Sequence, residues 1–242
     1  MHVNMEAGDL PVTVRREPSP NSESVDNYLK AILLLSGPAE NKVASNLLAR
    51  TLGVAPASVT NMLQKLAAGS PPLVEYERHR GVRLSAAGEK RALEVVRHHR
   101  LIETFLYQVL DYPIDEVHEE AERLEHFISE RFEERIAAKL GHPKIDPHGH
   151  CIPEMDGAMP KQNSIPLTDA LQEGIYVVDS VSDRDAGTLR LLKENGIAPG
   201  VRLRLRERPS VASYAVSVGR SSRVLNLQEE AAGTIRVCAL HK

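Results

Sequence analysis

The apolar residues of this chain change their period once, and that change limits the architecture more than any other feature. From Ser24 to Leu140 they recur at helical spacing, interrupted by one short hairpin. After Ile165 they alternate as in strands. A chain written this way is mostly α with a small β unit at its C-terminal end. Its 242 residues, 42% of them hydrophobic, suffice for one large domain or for two to three small ones with separate cores.

The first 21 residues are rich in Pro, Asn, Ser and charge and read as a mobile tail. They lack the basic start and apolar run of a secretory signal. No stretch approaches the roughly 18 apolar residues of a membrane span. Two cysteines, Cys151 and Cys238, build no disulfide framework, so a reducing, cytoplasmic setting is expected.

From Ser22 a helix places Tyr28, Leu29, Ile32, Leu33 and Leu35 on one broad face, and Gly37-Pro38 ends it. A second helix is expected at about 44–52, capped by Ser45 or Asn46, with Leu47, Leu48 and Leu52 inward. Gly53-Val54 makes a turn. A third helix then carries Val59, Met62, Leu63 and Leu66 inward and leaves Ala57, Ser58, Thr60, Asn61 and Lys65 for a partner. Helix, glycine turn, helix is the helix-turn-helix pattern. Its second helix enters the major groove, where Asn pairs with adenine edges and Ser or Thr with bases or phosphates.

Residues 73–78 and 82–85 alternate around His79-Arg80-Gly81, giving a hairpin whose tip gathers Arg78, His79, Arg80 and Arg83. Such a basic wing suits phosphates or the minor groove of double-stranded DNA. The net charge of −3 excludes wholesale nucleic-acid coating, not a local patch. With aromatics at 4% and no Trp, single-strand stacking platforms are not expected.

Ser85 opens a long helix to about Leu110, and a further helix is expected from about Ile114 to Leu140. On that second helix His118, Glu122, Glu125 and His126 fall within an arc of about 100°. His99 and Glu103 form another i, i+4 pair on the helix before it. Two helices with facing His/Glu stripes are one way to build a carboxylate-rich metal site. Nitrogen and oxygen donors without thiolate suit manganese, ferrous iron, cobalt or zinc. A zinc hydrolase would carry a second His four residues after His118, where this chain has Glu122. The chain is therefore read as no enzyme. A metal-independent winged-helix regulator is the alternative, and a metalloenzyme ranks third.

These segments resemble the diphtheria toxin repressor family of iron- and manganese-dependent regulators. The resemblance rests on Asp26-Asn-Tyr-Leu-Lys, Val59-Thr-Asn-Met-Leu, the wing from Leu73 to Ser85, Arg97-His-His-Arg-Leu-Ile-Glu, Val117 to His126 and Asp146-Pro-His-Gly-His-Cys-Ile-Pro. It implies a homodimer that binds palindromic operators when loaded with metal, represses metal-uptake genes and carries a C-terminal SH3-like barrel. It divides the metal face in two: Glu122, Glu125 and His126 with a first-helix residue, and His99, Glu103 and His118 with ligands from the C-terminal unit, where Asp183 and Asp185 are the candidates.

Two positions depart from the pattern. Glu122 stands where iron-type members have Cys, which favours Mn(II) over Fe(II), with Zn(II) and Co(II) as surrogates. The first-helix ligand position falls on Asn27, with Lys30 where some members have a carboxylate; Asp26, His2 or water could complete the shell. His148 and His150 read as ordinary loop residues. The resulting division is a tail at 1–21, a winged-helix domain at 22–92, a helical metal-binding and dimerisation domain at 93–154, a linker at 155–164 and an SH3-like domain at 165–242.

Overall fold

The computed structural model describes residues 20–37, 41–160, 162–170, 173–206 and 213–240. His2 lies outside them. The N-terminal unit is built from α1 (Pro20–Ser36), α2 (Ser45–Leu52), α3 (Pro56–Ala67) and the hairpin β1 (Val74–Glu77)–β2 (Gly81–Leu84). Leu29, Ile32, Leu48, Val59, Leu63 and Val82 are fully buried in one core, joined there by Ala92 of the next helix. Residue 53 ends α2 at φ +64°, a left-handed position that glycine takes without strain. Pro56 opens α3, where its missing N–H costs nothing. The expected capping of α2 by Ser45 or Asn46 is not found: Ala44 holds the N-cap position, with no side-chain cap.

The wing is pinned by a third short segment. Val43 and Val82 exchange two backbone hydrogen bonds, at 2.8 and 2.9 Å. This close approach explains Gly81. Its φ is +92°, and a Cβ there would lie 2.7 Å from the Val43 carbonyl oxygen.

The middle unit is helical: α4 (Ala86–Val109), α5 (Val117–Leu124) and α6 (Glu130–Lys139). Ser85 caps α4 as expected, accepting from Gly88 N at 3.1 Å. The single helix expected from Ile114 to Leu140 is instead two. The chain leaves α5 after Leu124, and Ser129 caps α6 by accepting from Phe132 N at 3.3 Å. The break turns Glu125 and His126 inward together, toward α4 and α1. Glu133 on α6 fastens the unit: it takes hydrogen bonds from Arg97 Nε at 2.5 Å and pairs with His98 Nε2 at 2.9 Å.

The C-terminal unit has β3 (Ile165–Pro166), β4 (Gly174–Val181), α7 (Ala186–Glu194), β5 (Arg202–Leu205), β6 (Ser213–Val218), β7 (Val224–Gln228), α8 (Glu229–Gly233) and β8 (Ile235–Ala239). Its six strands form one antiparallel sheet in the order β3-β8-β4-β5-β6-β7, curled around a core of Leu167, Val178, Leu192, Leu203, Val216 and Ile235. This is the small β unit expected from the alternation after Ile165, in the SH3-like form that the resemblance implies.

This sheet also holds the loop at 145–151. Val181 N donates to the His148 carbonyl at 2.9 Å. Gly149, at φ +90°, lies so close that a Cβ would come within 2.2 Å of the Asp179 carbonyl. On the far side Arg190 of α7 pairs with Asp115, just before α5. The loop is thereby clamped between helices and sheet.

Candidate metal centre and DNA-binding face

At this junction the described residues place three groups of metal-type side chains, each with ligand atoms within 4.8 Å of one another. In the first, α4 contributes His99 and Glu103, one turn apart, α5 contributes His118, and the segment after β4 contributes Asp183. Glu103 is fully buried. Its Oε1 lies 3.0 Å from His99 Nε2 and 3.2 Å from His118 Nδ1. Asp183 Oδ2 lies 3.5 Å from His118 Nδ1.

The second group is Asp146, His148 and His150, all from the clamped loop. Asp146 Oδ1 shapes that loop by accepting from the backbone N–H groups of His148 and His150, at 2.8 and 2.9 Å. His148 Nε2 lies 3.1 Å from the Ile114 carbonyl. A carbonyl accepts only, so the proton belongs on Nε2 and Nδ1 is left with its lone pair when the ring is neutral. That Nδ1 points at Glu103 Oε2 from 3.6 Å, and His150 Nδ1 lies 3.8 Å from Asp183 Oδ2. The first two groups therefore form one continuous cluster.

In this cluster Glu103 Oε2, Asp146 Oδ2, His148 Nδ1 and His150 Nδ1 are buried and make no hydrogen bond. Buried polar atoms are normally satisfied, since leaving one bare costs about 1–3 kcal/mol. Hard oxygen and imidazole donors with open lone pairs fit a divalent cation. Without one, the carboxylates favour the protonated rings of His148 and His99. Burial alone would lower the His148 pKa, but the facing Glu103 carboxylate, with the charges of Asp146 and Asp183, pushes it up to about 9. Burial acts the same way on His99, and the charge of Glu103 overcomes both that and Lys30, pushing it up to about 10. Burial would raise the Glu103 carboxyl, but the His99 charge, the bonds to His99 and His118 and the nearby His148 ring hold it well below the usual range.

The third group is His99, Glu122 and Glu125. The residues expected from the sequence do come together here, but with a lysine among them. The Lys30 ammonium stands among these side chains, donating to Glu122 Oε1 and Glu125 Oε2 at 2.7 Å each, with His99 Nδ1 at 3.1 Å. His126 Nε2 lies 3.4 Å from Glu125 Oε1 and 2.9 Å from Asn27 Oδ1 on α1. Asp26 is engaged by Arg91 Nε at 2.6 Å. Asp185 does not reach the cluster at all. It caps α7, accepting from Thr188 N at 2.9 Å, and this hydrogen bonding lowers its pKa.

The sequence reads His148 and His150 as ordinary loop residues and does not single out Asp146; the structure brings the three together. Their Asp-x-His-x-His spacing around Gly149 is the signal that could have found them. Cys151 contributes no thiolate to any of the three groups; burial pushes its pKa up.

In the N-terminal unit, Ala57, Ser58, Asn61 and Lys65 are exposed along α3, and Arg78, His79, Arg80 and Arg83 are exposed on the wing. One groove is lined by Lys42, Ser45, Asn46, Thr60 and the wing tip Arg78–Gly81. Thr60 is half-buried, and its hydroxyl donates to the Pro56 carbonyl at 3.2 Å. Arg83 pairs with Glu75 across the hairpin at 2.7 Å.

Fold and cluster together define a winged-helix regulator with a metal-type centre where its helical and β units meet. The comparisons with known proteins agree. Residues 21–82 match the iron-dependent repressor N-terminal DNA-binding domain, residues 85–154 the iron-dependent repressor metal-binding and dimerisation domain, and residues 165–238 the FeoA domain. The iron-dependent repressor IdeR of Mycobacterium tuberculosis is 31% identical over 176 residues, 68% of this chain and 75% of the relative. A manganese-dependent transcriptional repressor solved in complex with manganese is 37% identical, with a TM-score of 0.83 over 89% of this chain and 100% of that one. ScaR with bound Zn2+ is 31% identical, with a TM-score of 0.77 over 89% and 99%. The chain belongs to the diphtheria toxin repressor family of iron- and manganese-dependent regulators.

Proposed function

We propose that this chain is a manganese-activated repressor of metal-uptake genes that works in the cytoplasm and binds a palindromic operator as a homodimer. The observation that carries the metal reading is the pair of bare, buried atoms Glu103 Oε2 and His148 Nδ1, aimed at each other across 3.6 Å. With Asp146 and Asp183 beside them, and His99, His118 and His150 at the margin, these residues would hold the ion. The carboxylate-rich, thiolate-free set favours Mn(II), with Fe(II) the alternative and Zn(II) or Co(II) as surrogates. A bound cation there supplies positive charge that joins α4, α5, the clamped loop and the segment after β4. α4 in turn packs on α1, so the ion biases the placement of the DNA-binding unit by stabilising one arrangement over others.

Ser58, Asn61 and Lys65 would face the major groove, with Ala57 and Thr60 beside them, and Arg78 and Arg80 the adjoining backbone or minor groove. Phe127 and Phe132, exposed to 63% and 50% around the start of α6, mark the face we assign to a second copy of this chain. The test is operator affinity with and without Mn(II). Wild type should tighten on metal addition, while Glu103→Gln and His148→Ala should not. Equal tightening in all three would refute the assignment.

A further inference from the structure

The family's divided metal face does not fit this chain at one of its two positions. Glu122 and Glu125 reach a common point with His99, as a nitrogen-and-oxygen site would, but that point already holds a cation. The Lys30 Nζ lies 2.7 Å from each carboxylate and 3.1 Å from His99 Nδ1. Lys30 is 7% exposed and Glu125 1%. The ammonium balances one of the two carboxylate charges, that of Glu125 in a buried setting and that of Glu122 at the partly exposed edge, and both hydrogen bonds are short and charge-assisted. A divalent ion entering the same space would stand within about 3 Å of the ammonium, against a like charge in low dielectric. It would also have to expel a buried lysine, leaving its charge unpaired.

We propose that the Lys30 ammonium is a tethered cation standing in for a second metal ion, so that this chain takes up one activating ion per subunit rather than two. The lysine comes from α1 and its acceptors from the end of α5. The bond between the DNA-binding unit and the helical unit is therefore present whether or not metal is bound. His126 reinforces it through Asn27 on the same helix. Metal then acts directly at the junction with the C-terminal unit, through Glu103, the 145–151 loop and Asp183, and reaches the DNA-binding unit only through α4. This inference rests on the metal reading above.

The decisive experiment is metal stoichiometry on the full-length, metal-stripped protein, by equilibrium dialysis against Mn(II) with elemental analysis, alongside thermal denaturation. Wild type should bind one Mn(II) per chain, and Glu122→Gln should still bind one with the same metal-induced rise in Tm. Lys30→Asp, which removes the ammonium and adds a carboxylate, should bind two. Two ions in wild type, with one lost in Glu122→Gln, would overturn the role given to Lys30, as would a folded Lys30→Asp that still binds one. If Lys30→Asp does not fold, the Glu122→Gln comparison decides alone. No binding in wild type would refute the metal reading itself.

Discussion

The Nδ1 of His148 and the Oε2 of Glu103 face each other at 3.6 Å, both buried, and neither makes a hydrogen bond. The pair joins the 145–151 loop to the middle of α4, and its electrostatics set the pH behaviour of the centre. His148 and His99 have folded pKa values raised from 6.5 to about 9 and about 10. The stability that their protonation gives the metal-free protein is therefore complete below about pH 6.5 and is lost as pH rises toward 9–10. A metal ion needs the neutral imidazole and must displace a proton. Mn(II) affinity should rise steadily between pH 6 and 8, with protons released on binding. Calorimetry in two buffers of different ionisation enthalpy measures that release; a pH-independent affinity would contradict it.

Glu133 predicts stability rather than binding. It is buried against Arg97 and His98 on α4. Burial would raise its carboxyl, but the hydrogen bonds from His98 and Arg97 hold it below the usual range. Its contribution is present above about pH 4.5 and is lost as pH falls through the depressed folded value. Glu133→Ala leaves the Arg97 guanidinium without its carboxylate and should cost about 3 kcal/mol in urea unfolding at neutral pH. A loss below about 1 kcal/mol would mean that the pair is not formed in solution.

The wing and α3 should separate by their salt and sequence dependence. Arg78→Ala and Arg80→Ala, if each loses one phosphate contact, should weaken binding to all sequences alike and flatten the salt slope by about 1 each. Asn61→Ala should cost about 1–3 kcal/mol on the preferred operator and relax discrimination at one base pair. Competition binding on an operator and a scrambled duplex at several salt concentrations checks both.

Phe127→Glu should shift the protein toward monomer in sedimentation velocity and weaken operator binding, with Mn(II) stoichiometry unchanged. A variant that stays as large as wild type would remove this face from the dimer contact.

The helix-turn-helix and wing were legible because each device is local: a glycine after α2, a proline at the start of α3, a basic turn between alternating strands. The break between α5 and α6 was not, because Ile128, Phe132 and Ile136 continue the apolar period across it, and only the Ser129 cap marks it. Helical spacing paired His99 with Glu103 and His118 with Glu122, and the family resemblance joined His118 to the first pair. Asp146, His148 and His150 have no period to reveal them; their geometry comes from Asp146 and from contact with β4. In the sequence Lys30 stands only as a lysine where some family members have a carboxylate. Its role depends on Glu122 and Glu125, 92 and 95 residues away, and no local pattern reports such a pairing. Asp185 had the right chemistry and the right region, but the N-cap of α7 claims its carboxylate.

The central claim is that one divalent ion sits among Glu103, Asp146, His148 and Asp183 while the Lys30 ammonium fills the neighbouring position. The most direct measurement is anomalous diffraction above and below the manganese edge from crystals grown with Mn(II). The account predicts one manganese peak per chain, contacting Glu103 and His148, with Lys30 Nζ still between Glu122 and Glu125. A peak between Glu122 and Glu125 with the lysine displaced, or no peak beside Glu103, would contradict it.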